Sequence, residues 1–193
     1  VDYLVDASQR TVLFWDTLRR RGNQYKEHMA RGAPSALCFD CEPLIDGRTL
    51  DPPVNYGIVK IHPPKGTVID KLKRPFVVID PRAGHGPGIG GFKADSEIGV
   101  AMAAGHPVYF IAFTPEPEPG QTIERISRVE ARFLERVIQL HPHAEGKPVI
   151  VGNCQAGWAS ALLGAVRPDI TGPIVMNGAP LSYWAGVKGK HPM

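Results

Sequence analysis

Three runs of consecutive apolar residues organise the chain: Pro75-Phe76-Val77-Val78-Ile79-Asp80, Pro107-Val108-Tyr109-Phe110-Ile111-Ala112-Phe113 and Val149-Ile150-Val151. Unbroken β-branched and aromatic runs of this length mark strands covered on both faces. Between them the period changes. Residues 122–140 place Ile126, Val129, Phe133, Val137 and Leu140 at spacings of 3, 4, 4 and 3, one face of a long helix. Residues 95–104 predict a shorter helix, with Asp95 as its N-cap and Gly105 as its stop. A helical pattern follows the third run, and residues 173–177 predict a last strand. Nearer the N-terminus, residues 42–62 read as a β-hairpin turning at Asp46-Gly47 and broken at Pro52-Pro53. Residues 2–31 predict a helix with Val5, Val12, Trp15 and Leu18 on one face, stopped by Gly32 and Pro34. Two strands followed by β-α-β-α-β-α-β give a mostly parallel sheet with helices on both faces. The expected division is a helical segment over 1–34 and an α/β core over 35–193.

Composition narrows the class. The 193 residues are 43% hydrophobic and 21% charged, enough to bury a core. A net charge of +3 is too mild to imply nucleic acid, and Arg19-Arg20-Arg21 reads as a solvated helix end. No run reaches transmembrane length and no signal-peptide pattern is present. Three cysteines imply no disulfide framework, so a reduced, cytoplasmic setting is expected. Cys38-Phe39-Asp40-Cys41 is half a zinc site without its other half. Pro43 and Asp46-Gly47 follow where a thioredoxin-like motif would open a helix. No metal and no cofactor are expected.

The chemistry concentrates in Gly152-Asn153-Cys154-Gln155-Ala156-Gly157. A strand, a sharp turn and a helix meet with a thiol at the apex. Such an elbow exposes its nucleophile above a parallel sheet and needs small residues two positions either side. Here those are Gly152 and Ala156. The helix N-terminus favours negative charge at the apex, and the Gln155 amide can face an oxyanion. The competing reading makes Cys154 a small residue in an ordinary strand–helix turn.

Residues 81–91 carry five glycines after a buried strand. Their spacing fits neither a dinucleotide fingerprint nor a P-loop. Ligands in parallel sheets sit at the carboxyl ends of the strands, so this loop and the elbow should face one crevice. Backbone amides of Arg82, Ala83, Gly84 and Gly86 are candidates for the second oxyanion donor. Pro87 has no amide hydrogen. His85 either lines the site or bonds within the loop.

RGNQYKEH at 21–28, DGRTL at 46–50, DPRAGHGPGIGGFKADSEIGVA at 80–101, PEPEPGQTIE at 115–124, GNCQAGWA at 152–159 and PLSYWAGV at 180–187 carry a resemblance over nearly the whole chain. The chain resembles an uncharacterised bacterial family labelled poly(3-hydroxyalkanoate) synthetase-like, or 3-hydroxyalkanoate synthetase. That label implies an α/β-hydrolase fold in which the cysteine of a G-x-C-x-G-G box carries the growing acyl chain. The box departs from the synthase pattern at Ala156. The resemblance implies a Cys154 nucleophile and an acyl thioester substrate, hydroxyacyl-CoA, or an ester.

In this fold the acid and histidine follow the nucleophile. Only 39 residues follow Cys154, offering Asp169 in a helix-to-strand turn and His191 near the end. His141 and His143 precede it at a helix end. The expectation is therefore a fragment, truncated before its acid and base. Two readings follow: an acyltransferase, thioesterase or esterase working through acyl-Cys154, or a catalytically inactive binding protein on polymer granules. In the second, Trp15, Trp158, Trp184 and the first helix would supply the contact surface.

Overall fold

The computed structural model describes residues 1–83, 87–182 and 189–190. The chain divides into two compact units, Val1–Ser35 and Ala36–Met193. The first is helix α1 (Asp2–Ala30), in which no residue is buried. Val5, Val12, Trp15 and Leu18, the residues expected to share one face, are all exposed. Intrahelical pairs support it instead: Arg10 with Asp6, and Arg19 and Arg20 with Asp16. Each adds only a few tenths of a kcal/mol (about 0.2–0.5). Among the described residues no helix is long and apolar enough to cross a membrane.

The second unit is a six-stranded sheet in the order β1-β2-β4-β3-β5-β6. Strands β1 (Cys41–Asp46) and β2 (Tyr56–Ile61) form the hairpin, and β2 runs antiparallel to β4 (Val108–Phe113). Strands β3 (Phe76–Ile79), β4, β5 (Val149–Asn153) and β6 (Ile174–Asn177) are parallel. Asp46 starts the hairpin turn by accepting from the Arg48 amide at 3.0 Å. Gly47 is required there, since a Cβ would lie 2.2 Å from the Tyr56 carbonyl.

Alternation along the strands splits the core in two. Val78, Phe110, Val149 and Val151 face α2 (Glu97–Ala103), meeting Ile98, Ala101 and Met102. Val77, Ile79, Ile111 and Ile150 form the core on the other face with Phe133, Leu134 and Val137 of α3 (Ile123–Leu140) and Leu163 of α4 (Gln155–Val166). This is the architecture of an α/β-hydrolase, with its N-terminal helix in a separate unit. One cap differs from expectation. Ser96, not Asp95, caps α2, because its Oγ accepts from the Gly99 amide at 3.4 Å.

The chain leaves β3 for β4 on one side and returns to β5 on the other. This reversal opens a crevice at the strands' carboxyl ends. The register Ile79↔Gly152 sets the segments after β3 and β5 side by side, one strand spacing apart.

Candidate functional site

Cys154 stands where β5 becomes α4, with φ 50° and ψ −120°. A non-glycine residue rarely adopts a positive φ, and holding one there costs of order 1–3 kcal/mol. The surroundings impose it. The Cys154 amide donates to the Asn177 carbonyl at 2.8 Å, and the Cys154 carbonyl accepts from Gly157 at 3.0 Å. The thiol is exposed, and no side chain caps α4. The amides that open α4 ahead of Gly157 lie before the first intrahelical bonds.

The small residues around the apex have separate reasons. A Cβ on Gly152 would lie 2.5 Å from both the Ala156 carbonyl and Ser160 Oγ. A Cβ on Gly157 would lie 2.3 Å from Ala179 Cβ. Ala156 is buried but lines a cavity, so its methyl group has space. The steric demand on this side of the thiol therefore falls on Gly157, and alanine suffices where the usual box has glycine.

Two carboxylates outside the sequence-derived candidates build the ground around the elbow. Asp80, 2% exposed at the end of β3, accepts from the amides of Arg82 (2.9 Å), Gly88 (2.8 Å) and Ile89 (3.1 Å). One buried carboxylate thus gathers both ends of the glycine-rich loop. Glu97, in the first turn of α2, accepts from Asn153 Nδ2 at 2.7 Å and Asn177 Nδ2 at 2.8 Å. Asn177 also donates to Asn153 Oδ1 at 3.2 Å. The residue just before Cys154 is so tied to α2 and to the tip of β6.

Beside the elbow lies a cavity of about 220 Å³, lined by Gln155, Ala156 and Trp158 of α4, Ser127 and Glu130 of α3, and Tyr56 of β2 among others. Cys154 itself is not part of the lining; the residues immediately after it are. The Arg82 guanidinium carbon lies 5.4 Å from the Tyr56 ring centre and 5.5 Å from that of Phe113, cation–π distances. Burial, reinforced by the charge of Glu130, pushes the Tyr56 hydroxyl up to about 12. Burial pushes the Glu130 carboxyl up to about 7.

The sequence-derived candidates separate accordingly. Cys154, Gln155, Gly152, Ala156 and Gly157 form the elbow. Arg82 lines the cavity, but its amide is committed to Asp80 and is not a free oxyanion donor, a correction to the expectation. Its φ of 60° follows from folding back over Asp80. Ala83 remains on the loop, while Gly84, His85 and Gly86 lie outside the described residues, as does His191. Asp169 precedes β6 at the end of the sheet opposite the elbow, paired with Arg167 at 2.7 Å. His141 also lies at that end, where its Nε2 meets the Tyr109 hydroxyl at 2.8 Å. Cys38 and Cys41 are free, and burial with the charge of Asp40 pushes the Cys41 thiol up. Among the described residues no group of three or more His, Cys, Asp or Glu side chains is placed to hold a metal. Glu130 had a sequence signal: it lies four residues after Ile126 and four before Leu134, on the helix's apolar face.

Residues 6–193 match a family described as a protein of unknown function, DUF3141. An uncharacterised protein from the region 5′ of ackA in Rhizobium meliloti is 64% identical over 191 residues, 99% of this chain and 26% of that protein. The chain thus spans about a quarter of that relative's length. Among solved structures, a Pseudomonas aeruginosa PAO1 protein described as a probable hydrolytic enzyme is similar with a TM-score of 0.53 and 13% identity. The likeness covers 77% of this chain and 44% of that one. A Bacteroides ovatus protein described as a dipeptidyl aminopeptidase IV has a TM-score of 0.51 and 13% identity, over 73% of this chain and 21% of that one. At these identities the likeness is one of fold.

Proposed function

The chain belongs to the DUF3141 family, and we propose that it is the nucleophile-bearing part of an enzyme that transfers or hydrolyses acyl groups through Cys154, similar in chemistry to polyhydroxyalkanoate synthases. The observation that carries this reading is the φ of 50° at an exposed thiol between β5 and α4. Strained backbone of this kind persists where the surrounding structure over-determines it, and it clusters at active sites.

The chemistry runs in two steps. The Cys154 thiolate attacks the carbonyl carbon of an ester or thioester, and the carbonyl oxygen takes up the negative charge. The Gln155 amide, first in α4, donates to that oxygen. A second amide comes from the glycine-rich loop, with Ala83, Gly84 and Gly86 as candidates. The intermediate then collapses, expelling the alkoxide or the CoA thiolate and leaving acyl-Cys154. Water or an acceptor alcohol attacks this thioester, loses its proton and releases the Cys154 thiolate.

The base for that second attack is not among the described histidines of the core unit. His62 follows β2, His106 precedes β4, and His141 and His143 follow α3, all at the end of the sheet opposite the elbow. The resemblance supports hydroxyacyl-CoA as the acyl donor, and three cysteines without a disulfide framework support a cytoplasmic setting. Turnover of short acyl-CoA thioesters and p-nitrophenyl esters tests the reading on the longer protein. Cys154→Ala should lose at least ~10³-fold, as nucleophile deletions do. Cys154→Ser should retain little, since a hydroxyl needs stronger activation than a thiol. Undiminished turnover in Cys154→Ala would overturn the reading.

A further inference from the structure

Helix α1 has no part in the reaction above, and none of its residues is buried. Its side chains are sorted by polarity around the axis, at about 100° per residue. Leu4, Ala7, Thr11, Phe14, Gly22 and Met29 lie within about 40° of Leu18, a stripe without charge along the helix. Thr11 Oγ1 donates to the Ala7 carbonyl at 2.8 Å, which leaves its methyl group to the stripe. Tyr3 and Trp15 border the stripe at about 60°, one on each side. Arg10 and Arg21 stand on the Tyr3 side and Arg19 and Lys26 on the Trp15 side, at about 60–100°. Asp2, Asp6, Asp16 and Glu27 all lie opposite the stripe, at about 120–180°. Arg20 is the only lysine or arginine of α1 among them, and it pairs with Asp16 at 2.7 Å. Val5 and Val12 lie beyond Arg19 on the Trp15 side, and Leu13 lies among the acids.

We infer that α1 lies flat on an anionic phospholipid membrane, its stripe among the acyl chains and its flanking cations on the lipid phosphates. The order of side chains away from Leu18 is the order of depth in a bilayer interface. Leu4, Phe14, Leu18 and Met29, all exposed, form the deepest layer. Tyr3 and Trp15 follow, with rings suited to the headgroup level. Arginine and lysine stems then stay on apolar surface while their charges reach up to phosphate. The carboxylates are left on the water side, away from the anionic lipid. Arg10 and Arg19 also pair with Asp6 at 2.9 Å and Asp16 at 2.7 Å. Exposed pairs of this kind are weak, so lipid phosphates compete for both guanidinium groups. A helix of this pattern rests in the interface plane, and α1 is not apolar enough to cross the membrane. A second copy of α1 fits less well, because it would set basic flank against basic flank along both edges of the stripe. The inference rests on α1 alone, so it stands or falls separately from Cys154.

Flotation of the longer protein with vesicles tests the assignment. One vesicle is an equimolar mixture of phosphatidylglycerol and phosphatidylcholine, and the other is phosphatidylcholine alone. The protein should float with the anionic vesicles, bind the neutral ones far less, and be released at about 1 M salt, where the Debye length is ~3 Å. Leu18→Glu, in the stripe, should weaken binding at least tenfold, the scale of one large apolar side chain kept from burial. Leu13→Glu, among the acids, makes the same change on the water side and should leave binding within about twofold, since that side chain stays out of the lipid. Arg10→Gln, Arg19→Gln and Arg21→Gln should each cost about fivefold on anionic vesicles, the worth of one cation near such a surface. Equal flotation of Leu18→Glu and Leu13→Glu, or of the glutamine variants and the unaltered protein, would overturn the inference. So would equal binding to both vesicles. A protein that does not float, whether its stripe is covered by another segment of the longer chain or by a second copy, would overturn it as well.

Discussion

At Glu130 a carboxyl sits on the apolar face of α3, its ionisation opposed by burial, which moves it from 4.5 to about 7. That shift has a pH signature of definite sign. Between about pH 4.5 and 7 the folded protein holds a proton that the unfolded chain has released. Stability therefore falls as pH rises through this window, by about 3 kcal/mol in total, and is recovered in acid. Glu130→Gln should flatten the slope and raise the denaturant midpoint at pH 8. Midpoints for both proteins at pH 5 and pH 8 check this, and parallel pH profiles would contradict it. The residue scale is also where sequence reading was weakest. Cys154 was legible because an elbow needs its small–x–Cys–x–small spacing locally. Asp80 and Glu97 were not. Their partners are backbone amides up to nine residues on, and Asn153 and Asn177, 56 and 80 residues on. No local pattern records such contacts. Glu130 broke its helix's apolar period, a visible signal whose meaning depends on the cavity.

Among the elements, the apolar runs of β3, β4 and β5 were readable because each lies between two layers. The helix α1 was readable from its period, with Val5, Val12, Trp15 and Leu18 on one face, because periodicity reports amphipathicity. The cap of α2 turned on neighbouring candidates, Asp95 and Ser96, and only the bond to Gly99 decides between them. Glycine substitutions test the elbow's geometry. Gly152→Ala forces a Cβ within 2.5 Å of the Ala156 carbonyl and should destabilise by about 2 kcal/mol, the scale of overpacking. Gly22, inside α1, has nothing within 4 Å of a built Cβ. Gly22→Ala should therefore stabilise the helix by about 1 kcal/mol. Chemical denaturation of the two variants separates the effects; equal midpoints would refute the steric account. Asp80→Ala removes the acceptor of three loop amides and should cost about 3 kcal/mol. Amide exchange at Gly88 and Ile89 should accelerate with it, and unchanged protection would show that the loop is held otherwise.

For the molecule as a whole, the strand order 1-2-4-3-5-6 brings the glycine-rich loop and the elbow to one crevice, an outcome that periodicity alone could not establish. The described sheet ends at β6, where Val175 is 41% and Met176 42% exposed. Unpaired edge groups beside apolar side chains invite pairing between chains. Residues 1–193 alone should associate with rising concentration, and Val175→Lys should reduce this in sedimentation equilibrium. A monomer at every concentration would mean that the edge is protected. The proposed covalent step would register in the mass of the intact protein. On mixing with a hydroxyacyl-CoA or an activated ester, the account predicts one acyl adduct per chain, mapped to Cys154 and lacking in Cys154→Ala. An adduct of equal amount in Cys154→Ala would place the nucleophile elsewhere and contradict it.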